Sequence, residues 1–572
     1  MIFRVWAPRA SSVEIVLEHA RLPMQRRLDD HWDIELDESS VHEGYRYSLD
    51  GGEALPDPRS RWQPDGIRGA SRIVDSASWH RAQGFEFRPR PLAQAVIYEL
   101  HIGTFTPQGT YAAAATRLAH LVELGITHLE LMPLATFPGR RGWGYDGVYL
   151  YAPFPGYGTP AELAAFIDAC HSLGLAVLLD VVYNHLGPEG NYLASFGPYF
   201  SDRVKTVWGP TLNFDGPNSD PVRQFVLDNA LMWLRDYGFD GLRLDAVHAI
   251  YGFEAVHVLE DMANAVKALA QQSGRELVLI AESDLNDPRL LRSVEQGGYG
   301  LDAHWADDLH HSVHRFLTGE RTGYYADYQG LADIATALRE GYIYQGQHSS
   351  YRRRRHGRPP TGIRADQLVV SSQNHDQIGN RAFGDRLSMS LSAPRLKAAA
   401  ALIVLSPFVP LLFQGEEWGA RTPFLYFTDF LDERLGKAVA QGRREEFAAF
   451  EWQQEVPDPQ ADDTFTRSKL DWSEISKPWH ADIQAWYRGL ISLRQHKSRW
   501  PGPMRAEVEV DPEALWLHVL HAGVLVAFNF AAAAQRVPMP PGSWRLVLHS
   551  GPEDRGEGEQ LGAGATRVFA AS

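Results

Sequence analysis

Four short apolar runs occur in a fixed order through the middle of this chain, and each ends in polar side chains. They are Asp180-Val-Val-Tyr-Asn-His185, Gly241-Leu-Arg-Leu-Asp-Ala-Val-His248, Leu279-Ile-Ala-Glu-Ser283 and Gln373-Asn-His-Asp376. An apolar run that closes on carboxylate, histidine, arginine or asparagine is the pattern of a buried parallel strand whose C-terminal tip carries chemistry. Three of the tips deliver Asp245, Glu282 and Asp376. A carboxylate pair with a third acid is the equipment for breaking a glycosidic bond.

The runs belong to a longer strand–helix rhythm that starts near residue 95. Strands are expected at Val96–His101, Ile126–Met132, Leu175–Val182, Phe239–Asp245, Leu277–Glu282, Leu301–Trp305, Leu368–Asn374 and Val409–Gln414, mostly separated by helical stretches. Eight such strands predict an α/β fold, a (β/α)₈ TIM barrel over residues 95–490. A Gly/Pro/Asn/aromatic insertion at about 186–222 interrupts it after the third strand, and loops of that length are usually functional. Residues 1–90 alternate short strands with Gly, Pro and Asp, which predicts an N-terminal β-sandwich, and 505–572 predicts a C-terminal β-domain.

The chain has 572 residues, too many for one core, and a net charge of −16, which argues against nucleic acid or an anionic membrane as partner. No apolar run is long enough to span a membrane, and no leader peptide is visible, so a cytoplasmic monomer is expected. The single cysteine, Cys170, excludes an internal disulfide and reads as a packed thiol at a helix end. His310, His311 and His314 lie at helical spacing, but no His-Glu-x-x-His signature accompanies them, so a helix surface is the plainer reading and neither metal nor cofactor is expected. The basic run Arg352–Arg355 reads as a solvated loop, with an active-site lid as the functional alternative.

Asp245 and Glu282 would sit at the tips of neighbouring strands. Carboxyls about 5–5.5 Å apart there would make a retaining pair. Arg243, two residues before Asp245, points to the same face and would keep that carboxylate ionised. Glu282 follows an apolar run that would raise its pKa toward an acid's role. Alone, Arg243 and Asp245 could equally be a structural ion pair; four motifs in order make that reading weak. Trp143-Gly-Tyr-Asp146 adds two rings able to stack on sugars, or merely to fill a turn.

Taken together, the four motifs resemble the conserved regions of the α-amylase family of glycoside hydrolases over about residues 95–480. The resemblance implies Asp245 as nucleophile, Glu282 as acid/base and Asp376 as transition-state stabiliser. It also implies that Tyr145, Asp146, His185, Arg243 and His375 line the subsite of the cleaved sugar, and that the N-terminal region is similar to the module of branching and debranching enzymes. Outside the motifs, Val96–Thr106, Trp208–Asp215, Gln414–Gly419, Tyr426–Phe430 and Gly442–Phe447 look like the members of the family that take maltooligosyl-trehalose, an α-glucan, and release trehalose. A glycogen branching transferase and an α-glucan debranching hydrolase would keep the same acids; a glucan-binding barrel without catalysis would not need them.

Overall fold

The protein is described here by a computed structural model covering residues 1–79, 87–206, 208–448, 456–496, 506–551 and 558–571. The end of the first β-rich stretch (80–86), residue 505 and Ser572 lie outside the described residues, as do the side chains of Glu446 and Phe447.

Eight parallel strands close into a barrel: β1 (Ile97–Leu100), β2 (His128–Leu131), β3 (Ala176–Val181), β4 (Gly241–Leu244), β5 (Val278–Ala281), β6 (Ala303–Trp305), β7 (Leu368–Ser371) and β8 (Val409–Phe413). They follow one another in chain order, and Leu411 of β8 registers with Ile97 of β1 to close the ring. Every strand residue is buried, because one face meets the helices and the other fills the barrel. This is why the strands read as continuous apolar runs. Ile97, Leu178, Val278, Ile280, Ala303, Val369, Val409 and Leu411 plug the interior, beneath a polar layer at the C-terminal tips.

Helices follow most strands. Pro160–Ser172 shows the local logic: Thr159 and Glu162 form a reciprocal capping box, and Pro160 occupies the first turn, where no amide donor is needed. Between β5 and β6 the expected helix is replaced by two short 3₁₀ turns, Pro288–Leu290 and Val294–Gln296. Gly297, Gly298 and Gly300 punctuate this stretch and leave too few helix-forming residues for more. The insertion after β3 is ordered locally. It holds a helix at Leu193–Phe196 and a hairpin of Phe200–Thr206 with Gly209–Leu212, and the next helix already begins at Ser219.

Antiparallel sheets flank the barrel. Near the N-terminus a three-stranded sheet (Ile2–Trp6, His31–Glu35, Gln25–Arg26) accompanies a four-stranded one (Arg21–Pro23, Val13–Val16, Arg46–Leu49, Ala54–Leu55). These rest on the insertion and the helix after it. Trp6 meets Tyr199 edge-on at 5.3 Å, Arg59 pairs with Asp228 at 2.7 Å, and Arg61 pairs with Asp236 at 2.8 Å. At the other end, five strands order as Glu507–Asp511, Trp516–His521, Val524–Asn529, Thr566–Ala571 and Trp544–His549. The first and fourth of these are absent from the sequence reading. Among the described residues no helix is long and apolar enough to cross a membrane.

Gly241 opens β4 where strands crowd: a Cβ there would lie 2.5 Å from both the carbonyl oxygen and Cγ2 of Val278, and 2.9 Å from Leu178 Cδ2. Gly241→Ala should therefore destabilise the barrel by about 1–3 kcal/mol. A thermal melt would show it, and an unchanged midpoint would mean that β4 and β5 can separate without cost.

Candidate active site

The polar tips of the strands converge on one guanidinium. Asp180 of β3 registers with Arg243 of β4, and the ladder runs on past both strands: Asp245 N–H donates to Val181 O at 3.0 Å and Glu282 N–H to Leu244 O at 2.9 Å. Asp245 and Glu282 thus emerge side by side at the C-terminal mouth. Arg243 is wholly buried. Its Nη1 donates to both oxygens of Asp180 at 2.9 Å and to Asp245 Oδ1 at 2.7 Å, and its Nη2 lies 3.7 Å from Glu282 Oε2. The flat cation rests over the Trp305 ring at 4.4 Å, which supplies π attraction where water cannot.

The two neighbouring acids are driven apart electrostatically. Burial alone would raise the Asp245 carboxyl. Arg243, His185 and a 2.7 Å hydrogen bond from Asn184 outweigh it and hold the group below the ordinary carboxylate range. At Glu282 burial prevails over Arg243, and the negative Asp245 adds to it, so the group is raised. Among the described residues the protein contacts of Glu282 fall on Oε2, which also accepts the Ala246 amide at 2.6 Å. Ala246 pays for that contact with φ +39°, a left-handed conformation rare for a side-chain-bearing residue.

His375 and Asp376 follow β7. The His375 amide donates to Glu99 Oε2 at 2.9 Å, and its Nδ1 meets Glu99 Oε1. Burial disfavours the imidazolium, but Glu99 and Asp376 overcome it and raise the ring to about 9. Tyr145 bridges onward, with its hydroxyl 2.7 Å from His375 Nε2 and 2.5 Å from Asp180 Oδ2. Asp376 lies 3.5 Å from His375 Nε2 and accepts Asn380 Nδ2 at 3.2 Å. Exposure sorts these groups. The side chains of Asp245, Glu282 and Asp376 are 13%, 15% and 40% open, whereas Arg243, His375 and Glu99 are at most 1%. The first three can reach a ligand; the others sit behind them.

Seven of the eight sequence-derived residues thus gather in one network. His185 joins it beside Asp245 and stacks under the exposed ring of Trp208 at 5.6 Å. Asp146 stands apart: burial lifts it to about 6, and among the described residues no hydrogen bond or ion pair ties it to the cluster. Trp143 is no sugar platform. It is buried against Phe424 at 5.2 Å, and its indole donates to Leu425 O at 2.9 Å.

Several site residues escape a reading of the sequence. Glu99 carries the same signal as the other acids, a carboxylate at the end of an apolar strand, yet stands outside the four motifs. Asp307, at the start of the helix Asp307–Thr318, is raised well above its ordinary value by burial and by Glu282, Asp284 and Asp376. Arg352 is not a solvated residue: it reaches back to Asp284 at 3.0 Å, two residues past Glu282, while Arg353 to Arg355 stay exposed. His310, His311 and His314 are not on a helix surface either. They are buried against Tyr324 and Tyr325, which close over that face. Among the described residues no group of three or more His, Cys, Asp or Glu is placed to hold a metal ion.

Known proteins resemble this chain along nearly its whole length. An α-amylase catalytic-domain model matches residues 99–208. A malto-oligosyltrehalose trehalohydrolase of Rhizobium sp. (strain M-11) is 50% identical over 541 residues, 92% of this chain and 91% of the relative. The enzyme of that name from Arthrobacter ramosus is 48% identical over 96% of this chain and 94% of its own. A crystal structure described as an alpha amylase from Salmonella typhimurium superposes with a TM-score of 0.90 at 38% identity, covering 100% of this chain and 97% of that one.

The raised His375 makes a pH signature. Its contribution to stability, roughly 3 kcal/mol for a shift from 6.5 to about 9, is complete below pH 6.5 and is lost as pH rises through 9. The buried acids raised beside it act in the same direction but titrate lower, Asp180 at about 7. Melting temperature should therefore fall between pH 7 and 9, and His375→Gln should flatten the fall; an equal slope in the variant would assign the loss to other groups.

Proposed function

The chain belongs to the malto-oligosyltrehalose trehalohydrolase family, a branch of the α-amylase glycoside hydrolases, and from that premise we propose that it cleaves the α-1,4 bond joining a maltooligosyl chain to its terminal trehalose. The products are trehalose and a maltooligosaccharide. The observation that carries the chemistry is the pair Asp245 and Glu282, neighbours at one mouth with one acid held low and the other raised.

In this reading an Asp245 oxygen attacks the anomeric carbon of the glucose before the trehalose. The bond to the trehalose oxygen breaks, and Glu282 supplies that oxygen with a proton from Oε1, the oxygen its protein contacts leave free. Water then enters from the side the trehalose vacated. Glu282 takes its proton, the new C–O bond forms, and Asp245 leaves as carboxylate. Asp376, the most open of the three acids, holds hydroxyls of the sugar ring. Neighbouring strands are about 4.8 Å apart, which leaves little room for the water an inverting route needs between Asp245 and the sugar. The likeness to trehalohydrolases along nearly the whole chain favours water over a glucan as acceptor.

Incubation with maltooligosyl-trehalose should release free trehalose, and proton NMR in the first minutes should find the new reducing end as the α-anomer. Intact substrate together with new α-1,6 branches in glycogen would favour a transferase, and an early β-anomer would remove Asp245 from its role. Asp245→Asn and Glu282→Gln should each lower turnover on the order of a thousand-fold or more while leaving the fold intact, since both replacements are nearly isosteric. A variant that keeps a tenth of the wild-type rate would acquit its residue.

A further inference from the structure

Glu99 is buried at the end of β1, outside the four motifs and out of reach of substrate, yet both its oxygens are spent on one residue: Oε2 on the His375 amide and Oε1 on the His375 ring. On the other side of that ring a single phenol, Tyr145, makes two short contacts, 2.7 Å to Nε2 and 2.5 Å to Asp180 Oδ2. One hydroxyl proton cannot serve both. If the ring were neutral, with its proton on Nδ1 toward Glu99, Tyr145 would have to donate to Nε2 and leave Asp180 facing an oxygen lone pair. If Nε2 also carries a proton, it donates to Tyr145 and the phenol is free to donate to Asp180.

We propose that Glu99 is a positioning residue for the cleavage assigned above: it holds His375 doubly protonated, which turns the Tyr145 hydroxyl toward Asp180 and so orients the carboxylate that Arg243 shares with Asp245. The chain of donors then runs one way, from Nε2–H to Tyr145, from Tyr145 to Asp180, and from Arg243 Nη1 to both Asp180 and Asp245. The charged and titratable groups around the ring come from every side. Glu99 and His101 lie on or beside β1, Glu130 is on β2 and Tyr145 follows it, Asp180 is on β3, Arg243 is on β4, and Asp376 lies 3.5 Å away on the ring's own segment. Arg243 opposes a second cation, and burial keeps His101 neutral, so Glu99 and Asp376 supply the negative charge. Of these two only Glu99 bonds to Nδ1. The competing arrangement, a neutral ring with the proton on Asp180, is opposed by the two Arg243 bonds that Asp180 accepts; burial still lifts that carboxyl to about 7, so the two arrangements are told apart above that pH.

The test is ring nitrogen NMR on the full chain labelled with ¹⁵N-histidine, with the His375 signals identified by their absence in His375→Gln. At about pH 7.5 an unperturbed histidine is largely neutral, but wild-type His375 should show both ring nitrogens protonated. Glu99→Gln keeps the shape and removes the charge. It should neutralise the ring at that pH and lower kcat/KM about tenfold or more. Glu99→Asp should restore the doubly protonated ring and part of the rate. A neutral ring in wild type, or a doubly protonated ring in Glu99→Gln, overturns the proposal; if Glu99→Gln does not fold, the wild-type and Glu99→Asp spectra decide. The spectra need no substrate, so a wild-type protein that titrates as expected but releases no trehalose would sink the functional reading and not this one.

Discussion

One buried cation organises the mouth of this barrel. Removing a guanidinium from water costs several kcal/mol even after relaxation, and the cost is recovered only when its hydrogen bonds and charge are met. Arg243 meets the charge with Asp180 and Asp245, both bonded to Nη1, and with the face of Trp305, drawn from β3, the end of β4 and β6, while among the described residues Nε and Nη2 find no hydrogen-bond acceptor. The same contacts fix three strand tips relative to one another, two of them adjacent and the third across β5. Removing the cation would leave two buried carboxylates uncompensated, so catalytic geometry and local stability are here a single arrangement.

Charge counting explains the division of labour between the acids. Glu99, Glu130, Asp180, Asp245 and Glu282 crowd a region that offers two cations, Arg243 and His375. Five carboxylates cannot all stay ionised beside two positive charges at low dielectric. The protons settle where compensation is poorest. Glu130, with neither oxygen hydrogen-bonded among the described residues, is raised well above its ordinary value by burial and then by Glu99. Glu282, touched by Arg243 only at 3.7 Å, is raised as well, whereas Asp245, with direct bonds from Arg243 and Asn184, is lowered. A low acid beside a high one is what a two-step displacement at an acetal carbon requires.

The flanking regions hold this arrangement from outside. Arg68 pairs with Glu189 at 3.2 Å, and Glu189 also accepts the Leu431 amide at 2.8 Å, so the stretch after the N-terminal sheets ties the loop after β3 to the segment after β8. Trp208, exposed above His185, is carried by the hairpin in that same insertion. The arginines of the Pro-rich link, Arg59 and Arg61, grip the helix that leads into β4. What reads in sequence as a connector is therefore part of the support of the site.

The barrel was legible because strands buried on both faces must be continuous apolar runs, and eight such runs separated by helical stretches admit few other closures. Asp245, Glu282, Asp376, Arg243, His185 and His375 were legible because polar residues closing such runs have no packing reason to be there, whereas Tyr145, in the loop beyond β2, was legible only through the family resemblance. The missing helix after β5 and the two extra C-terminal strands were not, since short segments lack the periodicity that would separate them from loops. Nor could the sequence tell that Trp143 faces the core, that Arg352 folds back toward the mouth, or that three histidines are roofed by tyrosines; each depends on which distant segment arrives to cover it. Asp146 is the reverse case, a motif residue that no direct contact ties to the others. Residue types and their order along the chain settled the strands and the class of chemistry. Only the closed barrel decided which acid stays charged, because a pKa follows from burial and from neighbours hundreds of residues away, as Glu99 and His375 show.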